Sequence, residues 1–410
     1  MKSVHFYNLL KNIKNKPELG YSLWMFFAQV GVSSSAFLLT YVLANYVSNE
    51  NVGSYRYILA VYSSISVFAL IGLSTALSHS VSNGKTGSFF YAIKVKFKYS
   101  CFAALIFFVM AAYAHFFQGN TTLGLALVIA GLTFPIIETF ALYLPYLNGC
   151  SDFKKSALFL LTNRLLTTVF LVGVIFLNEA LVSLMLAYCL GQILSVVILY
   201  RLTIASYPPN QEVDVDMLTY AKHVSLMSVI GAVTAQLDKY ILFIFFGPVY
   251  LAKFWIASVL PQEVNRGVSI IVNTFFPRFA VGGKIKNKSD AKKLYLLSCM
   301  GMIVIIGGYA MLAPTLFAWL LPLHVDVVYM SSLLMLAYGF VPYYFVWQIF
   351  SAQKEVKIMY ILNTLEPIIL VVCYLILVPM YGVFGIIYTI FIKNLVFNVH
   401  GLYYVFNNKT

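Results

Sequence analysis

Residues 123–132 read Leu-Gly-Leu-Ala-Leu-Val-Ile-Ala-Gly-Leu, and the apolar run that they open continues to Pro145. Apolar and polar residues do not alternate along it, as they would in the strands of about ten residues that build a transmembrane β-barrel. Its length matches the roughly 20 apolar residues that a helix needs to cross a bilayer core of about 30 Å. The stretch therefore predicts a transmembrane helix.

Similar apolar runs fill almost the whole chain. Of its 410 residues, 61% are hydrophobic and only 10% are charged, whereas a soluble domain carries about 25% charged residues. We therefore predict an all-α polytopic membrane protein. Its spans, about twelve, are expected at residues 21–46, 57–80, 99–117, 123–145, 156–177, 180–202, 222–246, 250–275, 293–322, 327–351, 357–379 and 382–406.

The net charge of +13 raises the possibility of nucleic-acid binding, but the positions of the basic residues indicate a membrane topology instead. Twenty-one of the 27 Lys and Arg residues fall in the termini or in even-numbered connections, with Lys96 counted in the second connection. Two, Arg56 and Lys253, fall in odd-numbered connections, and four fall within spans. By the positive-inside rule both termini are cytoplasmic. No nucleic-acid partner is expected.

One segment of the chain has the composition of a linker. Residues 206–216 run from Ser206 through Pro208-Pro209 to an acidic cluster of Glu212, Asp214 and Asp216, directly after the sixth span. Many secondary transporters consist of two repeats with the substrate path between them. We therefore expect an N-terminal six-helix bundle at 1–206, a cytoplasmic linker at 207–221 and a C-terminal six-helix bundle at 222–410.

The predicted external connections argue against an enzyme. Each is shorter than about a dozen residues and holds no cluster of His, Asp and Glu, whereas membrane glycan polymerases and glycosyltransferases generally use a large external loop. The chain has no HExxH, GxSxG, Walker A or dinucleotide-binding motif, and its five cysteines lack metal-binding spacing. We expect a transporter without a metal or cofactor.

Four basic residues lie at predicted membrane depth, where a charge costs about 3 kcal/mol or more. Lys393 lies about eleven residues into the last span, roughly 16 Å deep. Each of the four either lines a polar cavity or has a structural role. The structural role is that of an ion-pair partner or, for Arg164, that of an anchor at the membrane–water interface. We predict that Lys393, Arg266 and at least one of Arg164 and Lys239 face one central cavity and bind substrate.

Two acidic residues lie close to these cations in the sequence. Glu263 precedes Arg266 by three residues and so shares its helix face, which predicts an ion pair between them. Asp238 and Lys239 are adjacent and about 100° apart around a helix, so we expect their side chains to point in different directions.

Two further acids, Glu138 and Glu366, lie within the fourth and eleventh spans. A buried carboxylate has a raised tendency to carry a proton and can coordinate Na⁺, which would couple transport to an ion gradient. The alternative is a salt bridge to Arg164 or Lys393. If some of the four acids are protonated, the cavity is net positive and suits an anionic substrate such as a diphosphate.

Three stretches carry a resemblance to a known family. They are the segment 45–55, containing Ser48-Asn-Glu-Asn-Val-Gly-Ser-Tyr55, the segment 236–254, containing Gln236-Leu-Asp-Lys-Tyr-Ile-Leu242 and Tyr250-Leu-Ala-Lys-Phe254, and the segment 147–154, containing Leu147-Asn-Gly149 and Phe153-Lys154. Together they resemble bacterial polysaccharide and O-antigen flippases of the Wzx type. Phe254 stands where that family usually has Tyr.

The resemblance implies a MATE-like fold, with two six-helix bundles around a central cavity and alternating access. It implies a flippase that turns an undecaprenyl-diphosphate-linked oligosaccharide, an O-antigen or capsule or exopolysaccharide repeat unit, to the outer leaflet of the bacterial cytoplasmic (inner) membrane. H⁺ or Na⁺ coupling, contact with membrane lipids, and a polysaccharide polymerase and chain-length regulator as partners are further expectations. The alternatives are a cation-coupled drug exporter of the same fold, a membrane glycan polymerase or acyltransferase, and a lipid scramblase.

Overall fold

The computed structural model describes residues 17–281, 288–339 and 356–407, and within these ranges the chain is almost entirely helical, without a strand. The α-helices are α1 Pro17–Tyr46, α2 Asn49–Ile65, α3 Leu73–Ser82, α4 Ser88–Phe116, α5 Thr121–Phe140, α6 Tyr143–Gly149, α7 Phe153–Ile175, α8 Leu181–Ser206, α9 Met217–Thr234, α10 Leu237–Ile241, α11 Pro248–Val281, α12 Lys288–Leu320, α13 Val328–Tyr338, α14 Val356–Tyr381 and α15 Val383–Asn407. A π-helical turn occupies Leu242–Phe246, and a 3₁₀ segment occupies Pro322–Val327.

Eight helices in the described ranges are long and apolar enough to cross a membrane. A ninth span is counted if α9 and the segment Leu237–Phe246, which meet at a 43° bend, form one crossing. The second predicted span is helical but broken into α2 and α3. Of the tenth predicted span, 327–351, only the part up to Gly339 lies in the described residues, and helix α13 occupies it. The prediction of an all-α polytopic membrane fold is confirmed.

The break in the second span is a site of close helix packing. Leu70 is buried there with a left-handed backbone (φ 57°), and two residues later the Gly72 amide donates a hydrogen bond to Ser225 Oγ of α9 at 2.9 Å. A Cβ on Gly72 would lie 2.5 Å from the Ala221 carbonyl oxygen. Helix α9, predicted as the first span of the C-terminal bundle, therefore packs directly against the second span.

Internal contacts divide the chain into two compact units, Met1–Gln236 and Leu237–Thr410. In the first unit, Phe89 stacks on Tyr146 with ring centroids 4.2 Å apart, within a core that includes Leu77 and Ala221. The second unit has its own buried cluster around Met302, Tyr309 and Met335. This contact boundary lies within the seventh span, and the six-plus-six division of spans stays a prediction.

The predicted linker is bound tightly to the first unit before α9 begins at Met217. Asp214 accepts hydrogen bonds from Ser80 Oγ at 2.8 Å and from Lys85 Nζ at 2.9 Å. The Asn210 side chain accepts a hydrogen bond from the Gly87 amide at 2.8 Å. These contacts join the linker to the turn between α3 and α4, so this part of the linker folds as a part of the first unit.

The packing at Gly72 gives a first prediction. Gly72→Ala should destabilise the protein by about 1–3 kcal/mol, because the new methyl group meets backbone atoms of α9 that cannot rotate away. Gly173→Ala is the matched control, since no described atom lies within 4 Å of its Cβ position, and it should be neutral or slightly stabilising. Thermal unfolding of the purified protein in detergent measures both. Equal melting temperatures for the two variants would contradict the packing described here.

The linker contacts predict a dependence of stability on pH. Hydrogen bonds from Lys85 and Ser80 lower the pKa of Asp214. Because the folded-state pKa lies below the unfolded value of about 3.9, the stabilisation is complete above about pH 4 and is lost as the pH falls through the folded pKa. Asp214→Asn should therefore lower the melting temperature at pH 6, and its difference from the wild type should shrink at pH 3.

Asp216→Asn serves as the control for this prediction, since Asp216 is an exposed carboxylate two residues away. Its melting temperature should follow that of the wild type at both pH values. A difference between Asp214→Asn and the wild type that stays constant from pH 6 to pH 3 would show that the Asp214 charge does not stabilise the linker.

Candidate functional site

A buried ion pair connects α4 and α5 inside the first unit. Lys96 Nζ lies 2.9 Å from Glu138 Oε2, and the two side chains are 4% and 18% exposed. Two of our sequence expectations are wrong here. We expect Lys96 in the second connection, whereas it lies within a helix, and the salt-bridge partner of Glu138 is Lys96 rather than Arg164. Helix α4 begins at Ser88 rather than near residue 99, and the neutralising carboxylate allows Lys96 to lie within the helix.

A signal in the sequence could have found Lys96. The buried positions of α4 include Ala92, Lys96, Ser100, Ala103 and Phe107, spaced by three or four residues. That spacing defines one face of a helix. The face is formed mostly of small or apolar residues, so the single lysine on it requires a partner from another helix.

Arg56 also lies within a helix rather than in the first external connection. Helix α2 begins at Asn49, after Ser48, whose side chain accepts a hydrogen bond from the Asn51 amide as an N-cap. Arg56 therefore sits in the second turn and is half-buried. Ser48 is a typical N-cap residue and indicates this helix start from sequence. The expectation that placed Arg56 in the first external connection is corrected accordingly.

Arg164 of α7 lies near Arg56, and the two guanidinium groups interact electrostatically with each other and with the tyrosines Tyr55 and Tyr188. Arg164 takes part in none of the ion pairs formed among the described residues. Its Nε is buried and has no hydrogen-bond partner there. Arg164 is thus a cation in the first unit for which the described chain supplies no carboxylate.

Aromatic rings surround these charges. Tyr62 packs edge-on against Phe134 with ring centroids 4.8 Å apart and lies 6.5 Å from Tyr188, which in turn lies 6.2 Å from Tyr55. The buried Tyr62 hydroxyl has no hydrogen-bond partner among the described residues. We define the charge cluster as Arg56, Arg164, Lys96 and Glu138 with the three tyrosines Tyr55, Tyr62 and Tyr188.

In the second unit, Lys239 Nζ lies 3.0 Å from Asp238 Oδ1 of the preceding residue. Our expectation that these side chains point in different directions is wrong. The flexible four-carbon stem of lysine reaches back around the helix, and α10 is only five residues long before the π-helical turn begins. Tyr338 and Tyr374 lie within electrostatic range of the Asp238 carboxylate.

Two further ion pairs occupy the second unit. Arg266 pairs with Glu263 three residues earlier, as predicted from their spacing. Lys393 Nζ lies 3.0 Å from Glu366 Oε1, joining α15 to α14. Three of the four cations predicted to bind substrate are therefore paired with acids in this structure. Since Arg164 belongs to the first unit and the other three to the second, the shared cavity that we expect for them stays a prediction.

Comparison of the chain with known protein families assigns it to one of them. The model for polysaccharide biosynthesis proteins matches residues 21–282, more than half of the chain. The chain belongs to the polysaccharide biosynthesis protein family. This membership confirms the flippase resemblance of the three sequence stretches. The matched residues include the whole charge cluster and the Asp238–Lys239 and Glu263–Arg266 pairs, whereas the Glu366–Lys393 pair lies beyond them.

Solved structures show the same fold at low sequence identity. The lipid II flippase MurJ in an inward closed conformation matches with a TM-score of 0.69 and 16% identity, covering 94% of this chain and 87% of that one. An outward-facing multidrug resistance MATE family transporter of the MOP superfamily matches with a TM-score of 0.65 and 14% identity, covering 95% of each chain. Among curated protein sequences none matches significantly. The chain therefore has the fold that MurJ and the MATE family transporter share.

The buried ion pair gives a prediction about stability. Lys96→Met leaves the Glu138 carboxylate without its partner and should lower the free energy of unfolding by about 3–5 kcal/mol. The double variant Lys96→Met/Glu138→Leu should recover most of this loss, because neither charge then remains unpaired. Equilibrium unfolding in mixed detergent micelles measures the change.

Lys98→Met is the control for helix α4, since Lys98 is exposed on the same helix. It should change the unfolding free energy by less than about 0.5 kcal/mol. If Lys96→Met behaves like Lys98→Met, or if the double variant is as unstable as Lys96→Met alone, the two charges do not stabilise the fold as a pair.

Proposed function

We propose that this protein is a flippase for an undecaprenyl-diphosphate-linked oligosaccharide, an O-antigen or capsule or exopolysaccharide repeat unit. It moves this substrate from the cytoplasmic to the outer leaflet of a bacterial cytoplasmic membrane by alternating access. The observation that carries the proposal is Arg164, a partly buried guanidinium with no ion pair among the described residues. Membership of the polysaccharide biosynthesis protein family supports a glycan as the cargo.

The chemistry of the charge cluster suits a diphosphate. A guanidinium group forms two parallel hydrogen bonds to phosphate oxygens, and such charge-assisted bonds are stronger where water is excluded. The Glu138 carboxylate, which would repel a phosphate, is already neutralised by Lys96. The Tyr62 hydroxyl adds a hydrogen-bond donor within electrostatic range of the Glu138 carboxylate that Lys96 neutralises. An anion that reaches this cluster therefore meets net positive charge.

The same observations disfavour a cation-coupled drug exporter, which would need carboxylates available to a cationic drug. Each of the four acids predicted at membrane depth has a basic partner in the described structure. Arg56 and Lys96 also add two cations to the four that we expected within the spans. The fold alone fits either transporter class, since both MurJ and MATE proteins share it.

The acid–cation pairs also provide a route for ion coupling. In our proposal, Lys239, Arg266 and Lys393 bind substrate in a central cavity after their pairs with Asp238, Glu263 and Glu366 open, and the released carboxylate takes up H⁺ or Na⁺. Both termini lie in the cytoplasm, and the six-helix bundles 1–206 and 222–410 rock against each other. A polysaccharide polymerase and its chain-length regulator receive the translocated glycan.

Substitution of Arg164 tests the proposal. In proteoliposomes containing a fluorescent undecaprenyl-diphosphate-linked oligosaccharide, Arg164→Ala should slow translocation by about tenfold to hundredfold, the loss expected for a hydrogen-bonded charge. Arg164→Lys should recover only part of the rate because an ammonium cannot make the bidentate contact. Fluorescence quenching by a reagent confined to one side of the bilayer measures the movement.

Arg201→Ala is the matched control because Arg201 is an exposed arginine on α8. It should translocate the labelled lipid at the wild-type rate. The proposal fails if the wild type moves no lipid-linked oligosaccharide of any glycan composition tested. The assignment of Arg164 fails if Arg164→Ala and Arg201→Ala translocate equally fast.

A further inference from the structure

A groove opens on the surface of the first unit, and none of its lining residues belongs to the charge cluster. It has a volume of about 660 Å³ and lies between α3 and the segment 141–148, which ends in α6. This size is within the range of about 300–1,000 Å³ that small-molecule sites occupy. We name it the α3–α6 groove. It is lined by Ser74, Thr75, Ser78, His79, Ser82, Ala141, Leu144, Pro145 and Asn148.

Three hydroxyl groups of the groove are not used by the fold. Several hydroxyls elsewhere bond back to a carbonyl one turn earlier, as Thr203 does to Leu199 at 2.7 Å. Ser74, Thr75 and Ser78 make no side-chain hydrogen bond to any described residue. Lipid hydrocarbon offers hydroxyls no partner, so such groups in a membrane helix face water or a polar ligand.

The groove also contains an amide with a free donor. Asn148 Oδ1 accepts a hydrogen bond from Ser156 Oγ at 2.6 Å, which fixes the amide and directs its NH₂ group elsewhere. The His79 ring lies 6.3 Å from that of Tyr220, which is 48% exposed beside the groove. Hydroxyl, amide and imidazole groups next to an exposed aromatic ring are the groups that bind the hydroxyls and the flat face of a sugar.

The absence of acidic and basic residues from the lining of the groove limits the kinds of ligand that it can bind. None of its lining residues is Asp, Glu, Lys or Arg. A diphosphate or a lipid headgroup phosphate would find no cation there, and a cationic drug would find no carboxylate. Neutral sugars need neither, since they are recognised by donors and acceptors such as those that the groove offers.

The position of the groove fits the loading side of the proposed transport cycle. Helix α3 leads from the groove into the turn at Gly84, and α6 leads into the turn at Cys150. Both turns belong to connections that we predict to be cytoplasmic from their lysines. We infer that the α3–α6 groove binds the neutral sugars of the lipid-linked oligosaccharide on the cytoplasmic side, separately from the cations that bind its diphosphate. This inference rests on the proposed function.

Two probes test the inference: undecaprenyl diphosphate carrying a neutral disaccharide, and undecaprenyl diphosphate alone. Binding of each fluorescent probe to the full-length protein in detergent is measured by thermophoresis. The wild type should bind the glycosylated probe about tenfold more tightly than the bare one. The variant Ser74→Ala/Thr75→Val/Ser78→Ala should lose this difference while binding the bare probe as the wild type does.

Thr162→Val controls for loss of a hydroxyl elsewhere, because Thr162 is exposed on α7 and bonds back to the Leu158 carbonyl. It should bind both probes as the wild type does. The triple variant should also keep the wild-type melting temperature, since its three hydroxyls make no internal bond.

The outcomes separate the inference from the proposed function. If Arg164→Ala weakens binding of both probes but the triple variant binds like the wild type, the groove inference is overturned and the flippase proposal stands. Equal binding of the two probes by the wild type, or equal weakening of both by the triple variant, overturns the groove inference as well. If the wild type binds neither probe, the proposed function fails together with the inference.

Discussion

Hydrocarbon offers neither hydrogen bonds nor counter-charges, and this constraint governs the polar residues of the described helices. A charge at membrane depth must find an opposite charge, reach the interface or face a water-filled cavity. Lys96 meets the constraint through Glu138, which joins two neighbouring helices by a pair that is almost fully buried. Arg164 does not meet it through any carboxylate of the described chain. The difference between these two cations is the reason why our proposal assigns Lys96 to the stability of the fold and Arg164 to the substrate.

Uncharged polar groups also divide into those that bond within the fold and those that do not. Several hydroxyls in the spans bond to a carbonyl of their own helix, and Ser225 of α9 in addition accepts a hydrogen bond from the Gly72 amide of the second span. Such contacts bring α9 against the second span and, with the bound linker, extend the first compact unit to Gln236. The side chains of Ser74 and Ser78 make no hydrogen bond to the described chain, and they line the α3–α6 groove. The polar groups of this unit that have no partner among the described residues thus include Arg164 Nε and the Tyr62 hydroxyl of the charge cluster, and also the hydroxyls of the groove.

The sequence predicts the helices because lipid forces long apolar runs into helical spans, and it predicts the Glu263–Arg266 pair because the contact is local to one helix turn. It does not predict the partner of Glu138, since that depends on which helices become neighbours and on how they are rotated. The predicted starts of the second and third spans, at residues 57 and 99, fall after Arg56 and Lys96, whereas helices α2 and α4 include these residues. The reason is related. Both charges are tolerated within helices only because the tertiary structure surrounds them with polar or charged groups.

A substrate with a diphosphate and a glycan presents two chemically different parts, and we propose that the charge cluster and the α3–α6 groove of the first unit bind one part each. Every undecaprenyl-diphosphate carrier has the same anionic group, so contacts to Arg164 cannot distinguish one glycan from another. Discrimination has to come from neutral donors and acceptors, because a site built to bond a hydroxyl rejects an analogue that lacks it far more strongly than an apolar pocket does. In our proposal the cations provide affinity for the carrier lipid, and the α3–α6 groove provides the choice among glycans. Changes at Ser74, Thr75 and Ser78 would then alter the glycan carried without altering the fold, because these three side chains make no hydrogen bond to the described chain.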